Sequence, residues 1–220
     1  MLKRLKAISD LVNNNSYVID IGCDHALLDI YLIDNKKDIK VIASDINKKA
    51  LNQGIKNANN RPIDFRLGNG LEVIENETID TIIIAGSGGI KQIDIIKKDI
   101  NRLKTIEKII LQPNNEIMRV RKEICKLGFY IDKETLIYEK KHFYTIILFK
   151  RGSYKYAYKE LYLGPILMHK KDKTYQKWLE YEYKKHMKIL PKLGIKDNER
   201  KNKIIKQINI IRKKQDDLKN

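Results

Sequence analysis

The sequence is poor in the residues that staple, break or span a membrane. Its two cysteines, Cys23 and Cys125, offer neither a disulfide framework nor metal-ligand spacing. Four prolines and eleven glycines in 220 residues exclude a low-complexity or largely disordered chain. No run approaches the roughly 18 uncharged apolar residues of a membrane span, and no apolar signal stretch follows the start Met1-Leu2-Lys3-Arg4. Acidic residues are also short, 28 against 45 Lys and Arg, for a formal net charge of +17. The expectation is a soluble, cytoplasmic, monomeric protein with no membrane contact and no metal.

What is present is enough for one sizeable core with a small appendage, at 42% hydrophobic residues. Ile, Lys, Asn and Tyr are abundant, which coding bias alone can produce, so the distribution of charge says more than its total. Residues 1–150 hold 25 basic and 20 acidic side chains, whereas residues 151–220 hold 20 and 8. A uniform drift toward Lys does not concentrate charge this way. The C-terminal part is therefore expected to meet a polyanion.

Helical and strand signals alternate over the first 150 residues. Leu5, Ile8, Leu11 and Val12 recur at helical spacing. Apolar runs at 17–22, 40–45, 63–67, 81–85 and 108–112 predict five strands, with helical sequence at 25–35, at 47–59 and after strands four and five. Continuous Ile/Val runs indicate strands covered on both faces, hence an α/β fold with a parallel, doubly wound sheet. After Gly128 two strand-like segments, 129–138 and 143–150, follow without a helix between them and predict an antiparallel hairpin at one edge. From about residue 166 the chain reads as helical and polar. Tyr175, Leu179, Glu182, His186 and Leu190 share one face, with Trp178, Tyr183 and Met187 beside it. Ile204, Ile208, Ile211 and Leu218 mark a second helix, so the segment is expected to form an antiparallel coiled-coil hairpin. Domains are expected at 1–155 and 156–220.

The informative stretch closes strand one: Asp20-Ile21-Gly22-Cys23-Asp24-His25-Ala26. Gly22 permits a sharp turn that aims backbone N–H groups at a ligand. A dinucleotide fingerprint needs a second glycine where this chain has Asp24, whose carboxylate repels a diphosphate. S-adenosylmethionine has no phosphate and carries a sulfonium and an ammonium, so acidic residues suit it. Asp45, 23 residues beyond Gly22 at the tip of strand two, can accept both hydroxyls of a ribose, or serve only as a helix N-cap. Ile46 beside it, Asn69 and Gly70 after strand three, and Ala85 at the end of strand four complete the expected cofactor set with Asp20, Gly22 and Asp24. Asn69 is placed to pair with the adenine edge, or to form only a turn. Gly86 and Gly88 in the loop after strand four, Gln112-Pro113-Asn114 after strand five, and Asp24 with His25 form the expected reaction site.

The strand plan is similar to that of the Rossmann-like methyltransferases. At these residues the chain resembles the bacterial tRNA methyltransferases that modify N1 of the adenosine at position 22. The resemblance runs over nearly the whole length. It includes Lys3-Arg4-Leu5, Asp20-Ile21-Gly22 with Asp24-His25-Ala26, and Gly70-Leu71-Glu72-Val73-Ile74. It continues through Ile84-Ala85-Gly86 with Gly88-Gly89, Leu111-Gln112-Pro113-Asn114 and Leu163-Gly164-Pro165. The chain departs from the family pattern at Leu27, Asp29, Asn69, Ser87 and Thr145, where an aromatic, Pro, an acidic residue, Met and Glu are usual. The resemblance implies methyl transfer from S-adenosylmethionine to tRNA. The alternatives are a methyltransferase for another RNA base or a small molecule, and a non-catalytic RNA-binding protein with a vestigial cofactor site.

Overall fold

The computed structural model describes residues 3–219, apart from the side chain of Ile195. The chain divides into two compact units, Met1–Lys155 and Tyr156–Asn220. The first begins with α1 (Lys3–Ser9), β1 (Tyr17–Ile21), α2 (Leu27–Asn35), β2 (Lys40–Asp45), α3 (Lys48–Ala58) and β3 (Ile63–Leu67). It continues with β4 (Thr81–Ala85), α4 (Gly89–Lys98), β5 (Lys108–Gln112), α5 (Ile117–Cys125), β6 (Phe129–Glu139) and β7 (His142–Arg151).

The seven strands form one sheet in the order β3-β2-β1-β4-β5-β7-β6. β1 to β5 pair in parallel, and β7 runs antiparallel to both β5 and β6. This is the Rossmann-like sheet that the alternating pattern predicts. Its centre is sealed because Ile82, Ile83, Ile84, Ile109, Ile110 and Leu111 are each at most 1% exposed, as strands covered on both faces require. The hairpin turns on Lys140 and Lys141, both with positive φ (49° and 66°). Two such residues twist the turn in the same sense as its flanking strands, so the hairpin closes without a longer loop.

One charge pair is built into this core. Arg121 on α5 donates from Nε to Glu134 Oε1 on β6 at 2.7 Å, and neither side chain exposes more than 2% of its surface. Nothing in the sequence pattern marks it, because the partners lie on elements of different period.

The second unit holds α6 (Tyr158–Leu163), α7 (Lys173–Ile189) and α8 (Asn198–Asp217). Helix therefore begins earlier than the expected residue 166. Glu160 accepts a hydrogen bond from the Ala157 N–H at 2.6 Å to start α6, and Gly164, at φ +90°, ends it. Asp172 caps α7 by accepting from the Tyr175 N–H. α7 and α8 run antiparallel: His186 meets Gln207, and Tyr183 meets Arg212. Tyr175, Trp178, Leu179, Ile204, Ile208 and Ile211 are buried. Met187, expected beside the seam, is instead 42% exposed. Among the described residues no helix is long and apolar enough to cross a membrane.

Candidate active site

The strand order reverses between β1 and β4: the chain builds outward through β2 and β3, then returns to the other side of β1. In such a sheet the crevice beyond the carboxyl ends of the strands is where ligands bind. An open cavity of about 500 Å³ lies there. Its wall comes from the β1 tip (Asp20 to His25), the β2 tip (Asp45, Ile46), the turn after β3 (Gly68 to Gly70) and the β4 tip (Ile84 to Ser87). Arg4 and Leu5 of α1, Leu27 and Leu28 of α2, and Lys91 and Ile95 of α4 complete it. All the expected cofactor residues (Asp20, Gly22, Asp24, Asp45, Ile46, Asn69, Gly70 and Ala85) line this one cavity.

Asp45 acts as a clasp between two strand tips. Its Oδ2 accepts the Asp24 N–H at 3.1 Å, and its Oδ1 accepts the Asn47 N–H at 2.7 Å. It does not cap α3; Asn47 does, accepting from the Lys49 and Ala50 N–H groups. Each Asp45 oxygen keeps a lone pair for a ligand hydroxyl. The β1 loop is held from the same side, since the Gly22 and Cys23 N–H groups both donate to the Ser44 carbonyl. Gly22, Asp24 and Ala26 all adopt positive φ, 79°, 52° and 56°. The Gly22 turn is one that side chains rarely adopt. Helix α3 presses on this loop: a Cβ at Gly54 would lie 3.2 Å from Ala26 Cβ and 3.4 Å from the Asp24 carbonyl.

The floor is acidic and dry. Asp20 is 4% exposed, and burial, with the charge of Asp45 adding to it, pushes its carboxyl up to about 7. Behind it Asp29 is fully buried, and neither of its carboxyl oxygens has a hydrogen-bond partner among the described residues. Burial and the nearby Asp20 charge hold Asp29 well above the usual carboxylate range. Burial likewise raises the Cys23 thiol, which is not a nucleophile at neutral pH.

A hydrogen-bonded relay runs beside the other wall and joins its Arg4 and Gly86. Arg4 Nη1 donates to Gln112 Oε1 at 3.1 Å, Gln112 Nε2 to Asn114 Oδ1 at 3.2 Å, and Asn114 Nδ2 to the Gly86 carbonyl at 2.7 Å. The Arg4 guanidinium also lies over the Tyr144 ring, 5.1 Å from its centroid. The two loops are laced by Gly86 N–H to the Gln112 carbonyl and Asn114 N–H to the Ser87 carbonyl. Buried Gln92 braces them further, donating to the Gln112 carbonyl and to Ser87 Oγ.

The expected reaction residues therefore separate into two groups. Asp24, His25 and Gly86 line the cavity; His25 Nε2 lies 3.7 Å from Asp24 Oδ1, and both side chains are exposed. Gln112 and Pro113 are buried beside it, Asn114 is exposed, and Gly88 caps α4 facing Asn115. Asn69 lines the cavity with an exposed side chain while Glu72 accepts its backbone N–H. Arg4, Lys91, Ile95 and Gln92 carry no positional signal in the sequence. Only the Lys3-Arg4-Leu5 resemblance touches the first of them. Among the described residues no group of three or more His, Cys, Asp or Glu is arranged to hold a metal.

The residues fit S-adenosylmethionine: a clasped carboxylate for a diol, acidic groups for cations, and Asp24 where a dinucleotide site has its second glycine. Comparison with known proteins agrees. A family model described as a methyltransferase domain matches residues 1–147. A Bacillus subtilis protein named tRNA (adenine(22)-N(1))-methyltransferase is 31% identical over 189 residues, 81% of this chain and 79% of that one. The solved structure of M. capricolum TrmK, in complex with S-adenosyl-homocysteine, is similar with a TM-score of 0.85 and 31% identity, covering 98% of both chains. Streptococcus pneumoniae Sp1610, in complex with S-adenosyl-L-methionine, is similar with a TM-score of 0.89 and 27% identity, covering 98% of this chain and 99% of that one.

Proposed function

The chain belongs to the tRNA (adenine(22)-N(1))-methyltransferase family, and on that premise we propose that it methylates N1 of adenosine 22 in tRNA with S-adenosylmethionine. The observation that carries the chemistry is the Asp45 clasp beside a loop with Asp24 where a phosphate-binding protein has glycine. When bound, S-adenosylmethionine supplies an electrophilic methyl group on a positively charged sulfur. Asp45 would hold the ribose hydroxyls, and Ile46, 65% exposed at the cavity wall, offers the adenosine an apolar surface. Asp20 and Asp24 would meet the cationic part of the methyl donor.

Adenine N1 presents an in-plane lone pair and needs no proton removed before it attacks. The protein's task is alignment, for which the rigid loop tips serve. The base gains positive charge as the new bond forms, and the exposed Asp24 carboxylate at the mouth favours it. N1 lies inside a Watson–Crick pair, so the adenine must arrive unpaired or extruded. We assign the RNA grip to residues 156–220, where 18 basic side chains stand against 8 acidic ones. We assign the activity to the cytoplasm, on the strength of a tRNA substrate, and to a monomer. Incubation with unmodified tRNA and the methyl donor, followed by nucleoside mass spectrometry, tests the reading: 1-methyladenosine is expected. Its absence, or another methylated base, overturns it.

A further inference from the structure

Two ends of fixed polarity hold the relay beside the cavity wall. A guanidinium can only donate hydrogen bonds, and a backbone carbonyl can only accept. Between Arg4 and the Gly86 carbonyl stand two side-chain amides, each with a donor end and an acceptor end. With Arg4 at one end, Gln112 must turn its oxygen to the guanidinium and its NH2 to Asn114. Asn114 must then offer its oxygen to Gln112 and its NH2 to Gly86. Reversing both amides together would set an NH2 against the guanidinium and an oxygen against a carbonyl. The orientation is therefore fixed from outside the pair, by the Gly86 carbonyl at one end and by Arg4 at the other.

Arg4 is itself well held. Its guanidinium lies on the Tyr144 ring and stands next to Gly86, where a Cβ would be 3.8 Å from Nη1. Gln112 is fully buried, whereas Asn114 is exposed. The relay thus carries the polarity of a cation through a buried residue to an exposed side chain bonded to Gly86 of the cavity wall. There the Asn114 oxygen keeps a second lone pair, suited to a base's exocyclic amine. Adenine presents such an amine beside N1. Guanine presents a carbonyl oxygen in the same place and meets a repulsive contact.

We propose that Arg4 is a positioning residue that, through Gln112 and together with the Gly86 carbonyl, holds the Asn114 amide so that it accepts the target's exocyclic amine and selects adenine over guanine. The inference rests on the methyltransferase reading above and deepens it. Neither residue periodicity nor the cofactor logic assigns Arg4 a role.

The test is Gln112→Glu in the full-length protein. The variant keeps the size of the side chain and adds an ion pair with Arg4, but it cannot donate to Asn114. A merely structural role predicts an unharmed enzyme. The proposal predicts an unchanged or raised melting temperature, donor affinity within about twofold by titration calorimetry, and kcat at least tenfold lower with a smaller change in KM for tRNA. A tRNA transcript with guanosine at position 22, a weak competitor of the wild type, should compete at least fivefold better against the variant. Arg4→Ala, which leaves the Gly86 anchor in place, should show a smaller kcat loss in the same direction, and Arg4→Lys, which still donates, should recover most of it. Wild-type kcat and discrimination in a folded Gln112→Glu or Arg4→Ala protein overturn the proposal while leaving the methyltransferase reading standing. Failure of the wild type to methylate adenosine in tRNA overturns both.

Discussion

Residues 1–155 carry 27 basic and 20 acidic side chains, and residues 156–220 carry 18 and 8, but the contrast lies more in where the charges sit. In the first unit Asp20, Asp29, Arg121 and Glu134 are all at most 4% exposed. In the second, the buried polar side chains among the described residues are His186 and Gln207, and no Lys, Arg, Asp or Glu joins them. A desolvated charge acts over a few ångströms and is costly to leave unpaired, which suits a site that must hold one ligand in one pose. Solvated lysines on flexible stems attract a polyanion at long range, and salt screens them. On the proposed function, the same chain uses charge once for geometry and once for capture.

The largest expected effect comes from separating these two uses. A chain ending at Lys155, checked first for a cooperative melt, should bind S-adenosylmethionine within about twofold of the full-length protein. Its affinity for tRNA should fall by about 10³ or more at low salt, with a flatter salt dependence, because fewer phosphate contacts release fewer counterions. Full-length affinity and slope in the truncated protein would erase the division. Breaking the buried pair comes next. Glu134→Ala removes the carboxylate that faces the buried Arg121 guanidinium and should cost about 3–5 kcal/mol of stability in urea denaturation. A surface pair such as Lys185–Glu182 should cost at most about 1 kcal/mol.

Asp45→Ala should weaken donor binding by about 1.5–3 kcal/mol in calorimetry, the scale for a hydrogen bond to a charged group. Unchanged affinity in a folded variant would remove Asp45 from the site.

The smallest effect is a pH dependence. Asp20 stands at about 7 in the folded chain against an ordinary 3.8. Between those values the unfolded chain has lost this proton and the folded chain keeps it, so Asp20 makes stability fall as pH rises from about 4 to 7. Asp20→Asn should therefore raise the melting temperature at pH 8, by roughly 2–4 °C per kcal/mol relieved, and leave it unchanged at pH 4. An equal shift at both pH values would mean that burial alone, not ionisation, is felt.

The strands and the Asp45 tip are legible in the sequence because they are local. An Ile/Val run announces a strand covered on both faces, and an acidic residue at the end of the second such run has one place to point. The charge contrast is legible by counting. The relay is not, because Arg4 and Gln112 lie 108 positions apart and meet only when α1 packs against the folded sheet. Arg121 and Glu134 are hidden for a similar reason, one being on a helix and the other on a strand. Asp29 misleads outright: its residue type predicts exposure, and the fold buries it completely. The helix-cap alternative for Asp45 fails through its neighbour, since Asn47 takes the cap and frees the carboxylate to bridge two strands.

The close approach of α3 at Gly54 has a consequence for how this enzyme can vary. Glycine inside a helix costs roughly 0.5–1 kcal/mol relative to alanine, so the reverse change would ordinarily be a cheap gain. Here the added methyl would crowd Ala26 and Phe65, each at 3.2 Å, and Ala26 follows directly on the loop that Asp45 clasps. Position 54 works as a spacer gauge, set by the thickness of a hydrogen atom. A stabilised variant selected for heat resistance alone would be drawn to Gly54→Ala, and its gain would be offset by a shifted Asp24 and a looser grip on the methyl donor.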